Sequence, residues 1–314
     1  MTRVAAVDCG TNSIRLLVAD CDPRTGELTD LDRRMTVVRL GQDVDRTGRL
    51  APEALERTFA ACRTYAAVIK ELGAERTRFV ATSASRDAEN RDEFVRGVLD
   101  ILGVEPEVIS GDQEAEFSFT GATKELTGSD HLAKPYLVVD IGGGSTEFVV
   151  GDDHVRAARS VDVGCVRMTE RHLVAGDGRV TDPPTQAQVT AMRADIEAAL
   201  DLAAESVPLA EARTLVGLAG SVTTVAAIAL GLPEYDSAAI HHSRVTYDQV
   251  REITHRMLTS THAERAAIPV MHPGRVDVIG AGALVLLTIM ERVGAAEVVV
   301  SEHDILDGIA WSLA

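Results

Sequence analysis

The chain has 314 residues and a mass of 33.5 kDa, beyond one small domain and about the size of two. Hydrophobic residues at 46% and charged residues at 25% match a globular chain and exclude a wholly disordered chain, a collagen-like repeat and a small disulfide scaffold. Lys+Arg 31 against Asp+Glu 48 leaves a formal charge of −17, which argues against general nucleic-acid binding, because duplex affinity rests on neutralising phosphates.

The opening predicts β structure. RVAAVD reads as a buried strand, CGTNS as a tight turn, IRLLVAD as a second strand and RRMTVVRL as a third. LAPEALERTFAACRTYAAVIKEL predicts a long amphipathic helix, with Leu55, Phe59, Cys62, Ala66 and Ile69 at helical spacing. TRFVATSA reads as a strand running into a loop, RDEFVRGVLDIL as a helix, VEPEVIS as a short strand and DQEAEFSFTGATKEL as a helix. This alternation argues for an α/β sheet. Aromatics are only 4%, so the cores must be built mainly from Ala, Val, Leu and Ile.

After the polar stretch TGSDHLAKP the opening pattern returns. Val4–Asp20 aligns without a gap on Tyr136–Asp152, placing Asp8 on Asp140, Gly10 on Gly142, Ser13 on Ser145 and Asp20 on Asp152. Such internal repetition predicts two similar domains, each starting with the same hairpin. Further on, HVRAARSVD reads as a strand, CVRMTERHLV and TQAQVTAMRADIEAALDLAAES as helices, and RTLVGLAG as a strand entering a glycine turn. SVTTVAAIALGL, TYDQVREITHRMLTS and a mostly buried RVDVIGAGALVLLTIMERVG read as helices. AEVVVS is the last strand and HDILDGIAWSLA the closing helix, while GDGRVTDPPT is the most loop-like stretch. The expected domains are 1–122 plus about 304–314, and 123–303, with a cleft between them.

The four cysteines, Cys9, Cys21, Cys62 and Cys165, form no CxxC pair, which predicts a reduced chain without a zinc site. The N-terminus has no signal-peptide pattern and no apolar run is long enough to span a membrane, so the expected location is the cytoplasm, with no membrane and no nucleic-acid partner.

Three glycine turns carry the chemistry. The first is Asp8-Cys9-Gly10-Thr11-Asn12-Ser13, and the second runs from Asp140 through Gly142, Gly143, Gly144, Ser145 and Thr146 to Glu147. Glycine permits close approach to a ligand, and successive N–H groups form an anion nest. An Asp ending each strand could hold a hydrated metal ion or a water. One such turn alone is as well explained by an ordinary hairpin. Two matched copies, each led by an Asp, favour phosphate binding. The third turn, around Gly220 and Ser221, lies between a predicted strand and helix, where unpaired donors and the helix dipole suit an anion; the plainer reading is Ser221 as a helix cap, and the two are compatible. No Walker A pattern is present.

These features resemble the actin, sugar-kinase and chaperone ATPase superfold, whose domains are ribonuclease H-like. A closer resemblance follows from DCGTNSIRLLV, ATSASRDAEN, SGDQEAEFSFTGA, VVDIGGGSTEFVV, VGCVRMTE, GLAGSVTTVAAI and RVDVIGAGALVL. In order and style they are similar to the exopolyphosphatase/guanosine pentaphosphate phosphohydrolase (Ppx/GppA) family, from residue 3 onward. The resemblance implies that Glu114 is the catalytic carboxylate, a general base for water. It implies that Asp140 and Glu147 help place water and metal, and that Arg86 contacts phosphate. Asn12, Ser13, Gly143, Gly144, Ser145 and Thr146 would cradle the terminal phosphoryl group.

The chemistry is coherent on its own terms. Phosphoanhydride hydrolysis needs an in-line water, a positioning carboxylate and positive charge on the transferring oxygens. Taken singly, Glu114 reads as part of a solvated helix face beside Asp112 and Glu116, and Arg86 as a surface partner of Asp87 or Glu89. His241 and His242 read as loop or core residues rather than metal ligands, and Cys9 as a packed small residue. Arg15, Arg33, Arg34, Arg39, Arg46 and Arg49 are either solvated surface arginines or the lining of a channel for an anionic chain.

Asp8 and Asp140 offer oxygen ligands suited to Mg²⁺ or another divalent ion. The first expectation is an exopolyphosphatase acting on inorganic polyphosphate, and the second a guanosine pentaphosphate phosphohydrolase. An ATP-dependent kinase or ATPase of the same superfold and a phosphate-sensing module are the rivals. Longer family members carry additional C-terminal helical domains; ending at Ala314, this chain should lack an extended channel, which directs it to short chains. The resemblance also implies a homodimer.

Overall fold

The computed structural model describes residues 1–22, 24–25, 27–124, 126, 132–175 and 180–314. The polar stretch 127–135 and the loop-like stretch 176–185 therefore fall partly outside the described residues. The chain divides into two compact units, Met1–Gly121 with Asp304–Ala314, and Ala122–His303.

The first unit contains β1 (Thr2–Cys9), β2 (Ser13–Cys21), β3 (Leu28–Val37), α1 (Val44–Thr47), α2 (Pro52–Leu72) and β4 (Arg76–Ala81). It continues with α3 (Ser83–Asp87), α4 (Arg91–Leu102), β5 (Glu107–Val108) and α5 (Gly111–Thr123). Its sheet order is β3-β2-β1-β4-β5, antiparallel from β3 to β1 and parallel from β1 to β5. β1 is buried on both faces, which is why its sequence is continuously apolar rather than alternating. Ala5, Val7 and Cys9 enter the core under α2 and α4, and Val4 and Ala6 enter the opposite one. α2 starts with Pro52 at its first turn and ends at Gly73 in the left-handed region (φ 68°). β3 forms an edge, and its exposed Asp and Arg residues discourage further pairing.

The second unit contains β6 (Tyr136–Ile141), β7 (Thr146–Gly151), β8 (Val155–Val161), α6 (Cys165–Leu173), α7 (Gln186–Ala204), β9 (Thr214–Leu218) and α8 (Ala219–Ala229). It closes with α9 (Ser237–Ile240), β10 (Arg244–Thr246), α10 (Tyr247–Thr259), α11 (His262–Ala266), α12 (Ile279–Val293) and β11 (Glu297–Val300). The sheet order is β10-β11-β9-β6-β7-β8. β6, β7, β8 and β9 repeat the pairing of β1, β2, β3 and β4, hairpin for hairpin. α12 is buried along most of its length, as its apolar run predicts. Each unit therefore carries an α/β sheet that opens with the same hairpin, as the sequence repeat predicts. Among the described residues, no helix is long and apolar enough to cross a membrane.

The closing helix, α13 (Ile305–Trp311), belongs to the first unit and covers the sheet face opposite α2. Its partner is α5. A Cβ on Gly121 would lie 1.8 Å from Asp304 O, and one on Gly308 would lie 2.2 Å from Phe117 O. Glycine at both positions lets the two backbones touch.

Local differences from the expectations have local causes. The strand TRFVATSA ends at Ala81 and turns into the short α3 rather than a loop. The third strand begins at Leu28, earlier than its most apolar stretch, because its outer face is lined by ion pairs. The helix expected from Arg275 onward begins only at Ile279, after a 3₁₀ turn at Pro273–Arg275.

Candidate active site

The first glycine turn links β1 to β2. Gly10 N–H donates to Ser13 O at 3.0 Å, and Asn12 O accepts from Val38 N–H at 3.0 Å and Arg39 N–H at 2.8 Å. Thr11 Oγ1 and Ser83 Oγ share a buried hydrogen bond of 2.8 Å, tying the turn to α3. Asp8 sits directly opposite Arg15 in the β1–β2 register. Its Oδ2 accepts from Arg15 Nε at 3.0 Å and Nη2 at 2.7 Å. Asp8 Oδ1 and Asn12 Oδ1 are buried and have no hydrogen-bond partner among the described residues. Burial raises the Asp8 carboxyl above the ordinary carboxylate range, against the opposing pull of Arg15.

Glu114 lies in the first turn of α5 and is 8% exposed, while its neighbours Asp112, Gln113 and Glu116 are exposed. Its Oε2 accepts from Arg86 Nη1 at 2.7 Å, and the same nitrogen donates to Ile109 O at 3.0 Å. The solvated-face reading of Glu114 and the Asp87 or Glu89 pairing of Arg86 are both replaced by this contact. It arises because α3 and α5 each follow a parallel strand of the same sheet, β4 and β5.

The second turn repeats the first in the other unit. Gly142 N–H donates to Ser145 O at 3.0 Å, matching the Gly10–Ser13 bond. The start of α6 secures the turn's carbonyls: Cys165 N–H donates to Gly142 O at 3.0 Å, and Val166 and Arg167 N–H donate to Gly143 O at 2.9 and 3.0 Å. Arg167 Nε adds a bond to Gly144 O at 2.7 Å. The amides of Gly143, Gly144 and Ser145 donate no hydrogen bond to the described residues. A turn with its carbonyls tied back and its donors open is an anion nest. Thr146 is fully buried and its hydroxyl donates to Val163 O at 2.6 Å, bracing the turn.

Asp140 and Glu147 stand directly opposite each other in the β6–β7 register, and both are buried. Glu147 Oε1 accepts from Ser160 Oγ at 2.7 Å. The repeat therefore changes sign at one place: Asp8 faces Arg15 in the first unit, and Asp140 faces Glu147 in the second. Like charges directly opposite each other on paired strands are unusual, and they mark an acidic site in the second unit. Among the described residues no cluster of three His, Cys, Asp or Glu is placed to hold a metal. Asp8 Oδ1, buried and without a hydrogen-bond partner among the described residues, is an oxygen donor of the kind a hard cation takes.

The third turn lies between β9 and α8, as expected, but Ser221 does not cap the helix. α8 begins at Ala219, with Leu218 as the cap residue and no side-chain cap bond. Ser221 is buried within the first turn and its hydroxyl bonds the Cys165 thiol, so it is not the helix cap. A Cβ on Gly220 would fall within 2.0 Å of the Arg275 guanidinium, which also donates to Thr224 Oγ1 at 3.2 Å. Arg275 thus brings positive charge to this turn.

Sequence reasoning assigned no part to Arg275, Arg167, Gly164, Ser160 or Asp304. Gly164 and Arg167 lie inside the VGCVRMTE motif, which was the available signal. The N-terminal arginines form ion pairs: Arg15 with Asp8 and Asp304, Arg33 with Asp30 and Asp307, Arg34 with Asp32, Arg46 with Asp43, and Arg49 with Glu89. Each of those five is thus paired with at least one carboxylate. Cys9 is buried in the core, and burial pushes its thiol well above its ordinary value. His241 and His242 stack at 3.7 Å between centroids, and His241 Nδ1 accepts from Glu302 N–H at 3.1 Å.

A duplicated α/β chain with one Asp-led glycine hairpin per unit, and a buried Glu114 paired with a half-buried Arg86 in the first, is built for phosphate chemistry. The chain belongs to the Ppx/GppA phosphatase family, whose pattern matches residues 17–314. It is 50% identical to Exopolyphosphatase 2 of Mycobacterium tuberculosis over 325 aligned positions, covering 100% of this chain and 99% of that protein. It is 27% identical to the guanosine-5'-triphosphate,3'-diphosphate pyrophosphatase of Aeromonas hydrophila, covering 98% of this chain and 59% of that one. The crystal structure of an exopolyphosphatase-like protein superposes with a TM-score of 0.94 at 45% identity, covering 100% of this chain and 98% of the other.

Proposed function

We propose that the chain is an exopolyphosphatase. It hydrolyses the terminal phosphoanhydride of inorganic polyphosphate, short chains above all: polyphosphate(n) and water give polyphosphate(n−1) and orthophosphate. The reading is supported by family membership and by the full-length likeness to an exopolyphosphatase. The observation that carries it is the buried Glu114 carboxylate held by Arg86 at 2.7 Å.

In this reading Glu114 takes a proton from the attacking water as its oxygen bonds to the terminal phosphorus and the bridging P–O bond breaks. Arg86 orients Glu114 and places positive charge beside the phosphate. The Gly143, Gly144 and Ser145 amides, with Asn12 and Ser13 from the first turn, bind the terminal phosphoryl oxygens. Thr146 braces that nest, and Gly220 and Ser221 border a further anion position under Arg275. Asp8 and Asp140, with Glu147 beside Asp140, would hold Mg²⁺. When bound, the ion offsets the charge of a polyanion on a −17 chain and polarises the phosphoryl group. The working assembly is a homodimer, tested by light scattering against the 33.5 kDa chain mass, and the working location is the cytoplasm.

The likeness to the Aeromonas enzyme favours a second reading, release of the terminal phosphate of guanosine pentaphosphate. One panel separates the two: defined polyphosphates, guanosine pentaphosphate and ATP with Mg²⁺, followed by ion chromatography of the products. Orthophosphate and a chain shortened by one unit support the first reading. Turnover of guanosine pentaphosphate alone replaces it by the second, and turnover of ATP with transfer to an acceptor replaces both by a kinase.

A further inference from the structure

The arginine that holds the leading carboxylate of the first hairpin is itself anchored by a residue from the far end of the chain. Arg15 gives two hydrogen bonds, from Nε and Nη2, to a single oxygen of Asp8, Oδ2. The third guanidinium nitrogen, Nη1, donates to Asp304 Oδ2. Asp304 is itself fixed. Its Oδ1 accepts from Leu306 N–H at 3.0 Å, capping α13, and its own N–H donates to Asp307 Oδ2 at 2.9 Å. Asp307 is fully buried and bonded by Arg33, which also holds Asp30. The path runs from Arg33 on β3 through Asp307 and Asp304 at the start of α13 to Arg15 on β2 and so to Asp8. Its far end is rigid, because α13 touches α5 backbone to backbone at Gly121 and Gly308.

We propose that Arg15 and Asp304 are positioning residues that fix the rotation of the Asp8 carboxylate, so that Oδ2 is committed to Arg15 and the buried Oδ1 is the atom presented to the ligand. The planar guanidinium suits such a role, since two of its nitrogens meet one oxygen while a third is anchored elsewhere. The hairpin repeat sharpens the point. At the position equivalent to Arg15 the second unit has Glu147, so the clamp belongs to the first hairpin only. The inference rests on the hydrolase reading, in which Asp8 acts on the substrate side.

The test is a mutant cycle on the full chain with a defined short polyphosphate and Mg²⁺, alongside Mn²⁺ binding followed by electron paramagnetic resonance. Arg15→Lys keeps the charge and loses the fork. Asp304→Asn keeps a side chain that caps helices equally well and loses the anion facing Arg15. Each is expected to lower kcat about 10- to 100-fold with KM changed less than about threefold, and to weaken Mn²⁺ binding, because small misplacements at a reacting centre are costly. Both effects should disappear in an Asp8→Asn background, and the Arg15→Lys/Asp304→Asn double variant should be no worse than either alone. Thermal unfolding of every variant reports on folding separately. Variants with wild-type kcat, or defects of the same size whether residue 8 is Asp or Asn, overturn the proposal while leaving the hydrolase reading in place. A wild-type chain that releases no phosphate from any substrate of the panel overturns that reading, and the positioning role with it.

Discussion

Arg86 Nη1 lies 2.7 Å from Glu114 Oε2 and at the same time donates to Ile109 O at 3.0 Å. The guanidinium is thus anchored to backbone on the approach to α5 and to the carboxylate on α5. It sets the direction of Glu114. Arg86→Ala is expected to lower stability by about 1.5–3 kcal/mol, the scale of a hydrogen bond to a charged group, with the lower end favoured because the arginine is half-buried. It should also raise KM and lower kcat together. Denaturant unfolding and steady-state phosphate release on the same preparations check both. A kcat equal to that of the wild type would show that Arg86 does not set the geometry of Glu114.

The second nest depends on a glycine that never touches substrate. A Cβ on Gly164 would lie 2.4 Å from Gly143 O and 2.7 Å from Gly144 N. Both atoms are backbone, so the turn itself must yield. Gly164→Ala is expected to reduce kcat/KM by about 100-fold, the scale of an ångström of misplacement. Phosphate-release kinetics, with circular dichroism to confirm the fold, decide the matter; unchanged kinetics would mean that the turn does not bind the reacting phosphate.

Metal removal gives a third prediction. A polyanionic substrate on a chain of formal charge −17 calls for a cation. A chelator should abolish phosphate release, and added Mg²⁺ should restore it. Full activity after exhaustive chelation would assign the Asp140 and Glu147 carboxylates another purpose.

Tyr65 supplies a pH test of the fold near the first hairpin. It is 1% exposed, its hydroxyl donates to Ile14 O at 2.9 Å, and burial pushes its phenol up to about 12. The folded state therefore holds this proton more tightly than the unfolded chain, where it leaves near pH ~10. The stabilisation is complete below about pH 10 and is lost as pH rises towards 12. Tyr65→Phe should cost about 1 kcal/mol at neutral pH and flatten the alkaline loss of stability. An identical alkaline profile in the variant would place that loss elsewhere.

The hairpin repeat was the most legible part of the sequence, because side-chain alternation fixes register once two copies align. It placed Asp8 and Asp140 at equivalent positions, and the strand pairings keep them there. RDEFVRGVLDIL, read as a helix from its apolar spacing, is α4. What local pattern does not carry is long-range partnership. Arg15 and Asp304 are 289 positions apart, and Arg86 and Glu114 are 28 apart, so only the sheet brings either pair together. The alternative of a helix cap at Ser221 failed for a related reason. The helix starts at Ala219, with φ at 65°, and Ser221 turns to the Cys165 thiol instead of the backbone.

The central claim is that this chain hydrolyses polyphosphate with Glu114 as the base. Its most direct test is orthophosphate release from one defined short polyphosphate in Mg²⁺, with wild-type chain and Glu114→Gln side by side and substrate binding measured on both. The account predicts steady release by the wild type and a loss of about 10²–10⁴-fold in Glu114→Gln, with binding retained or tightened because one negative charge is gone. Near-normal release by Glu114→Gln would contradict it and move the base to Glu147 or Asp140.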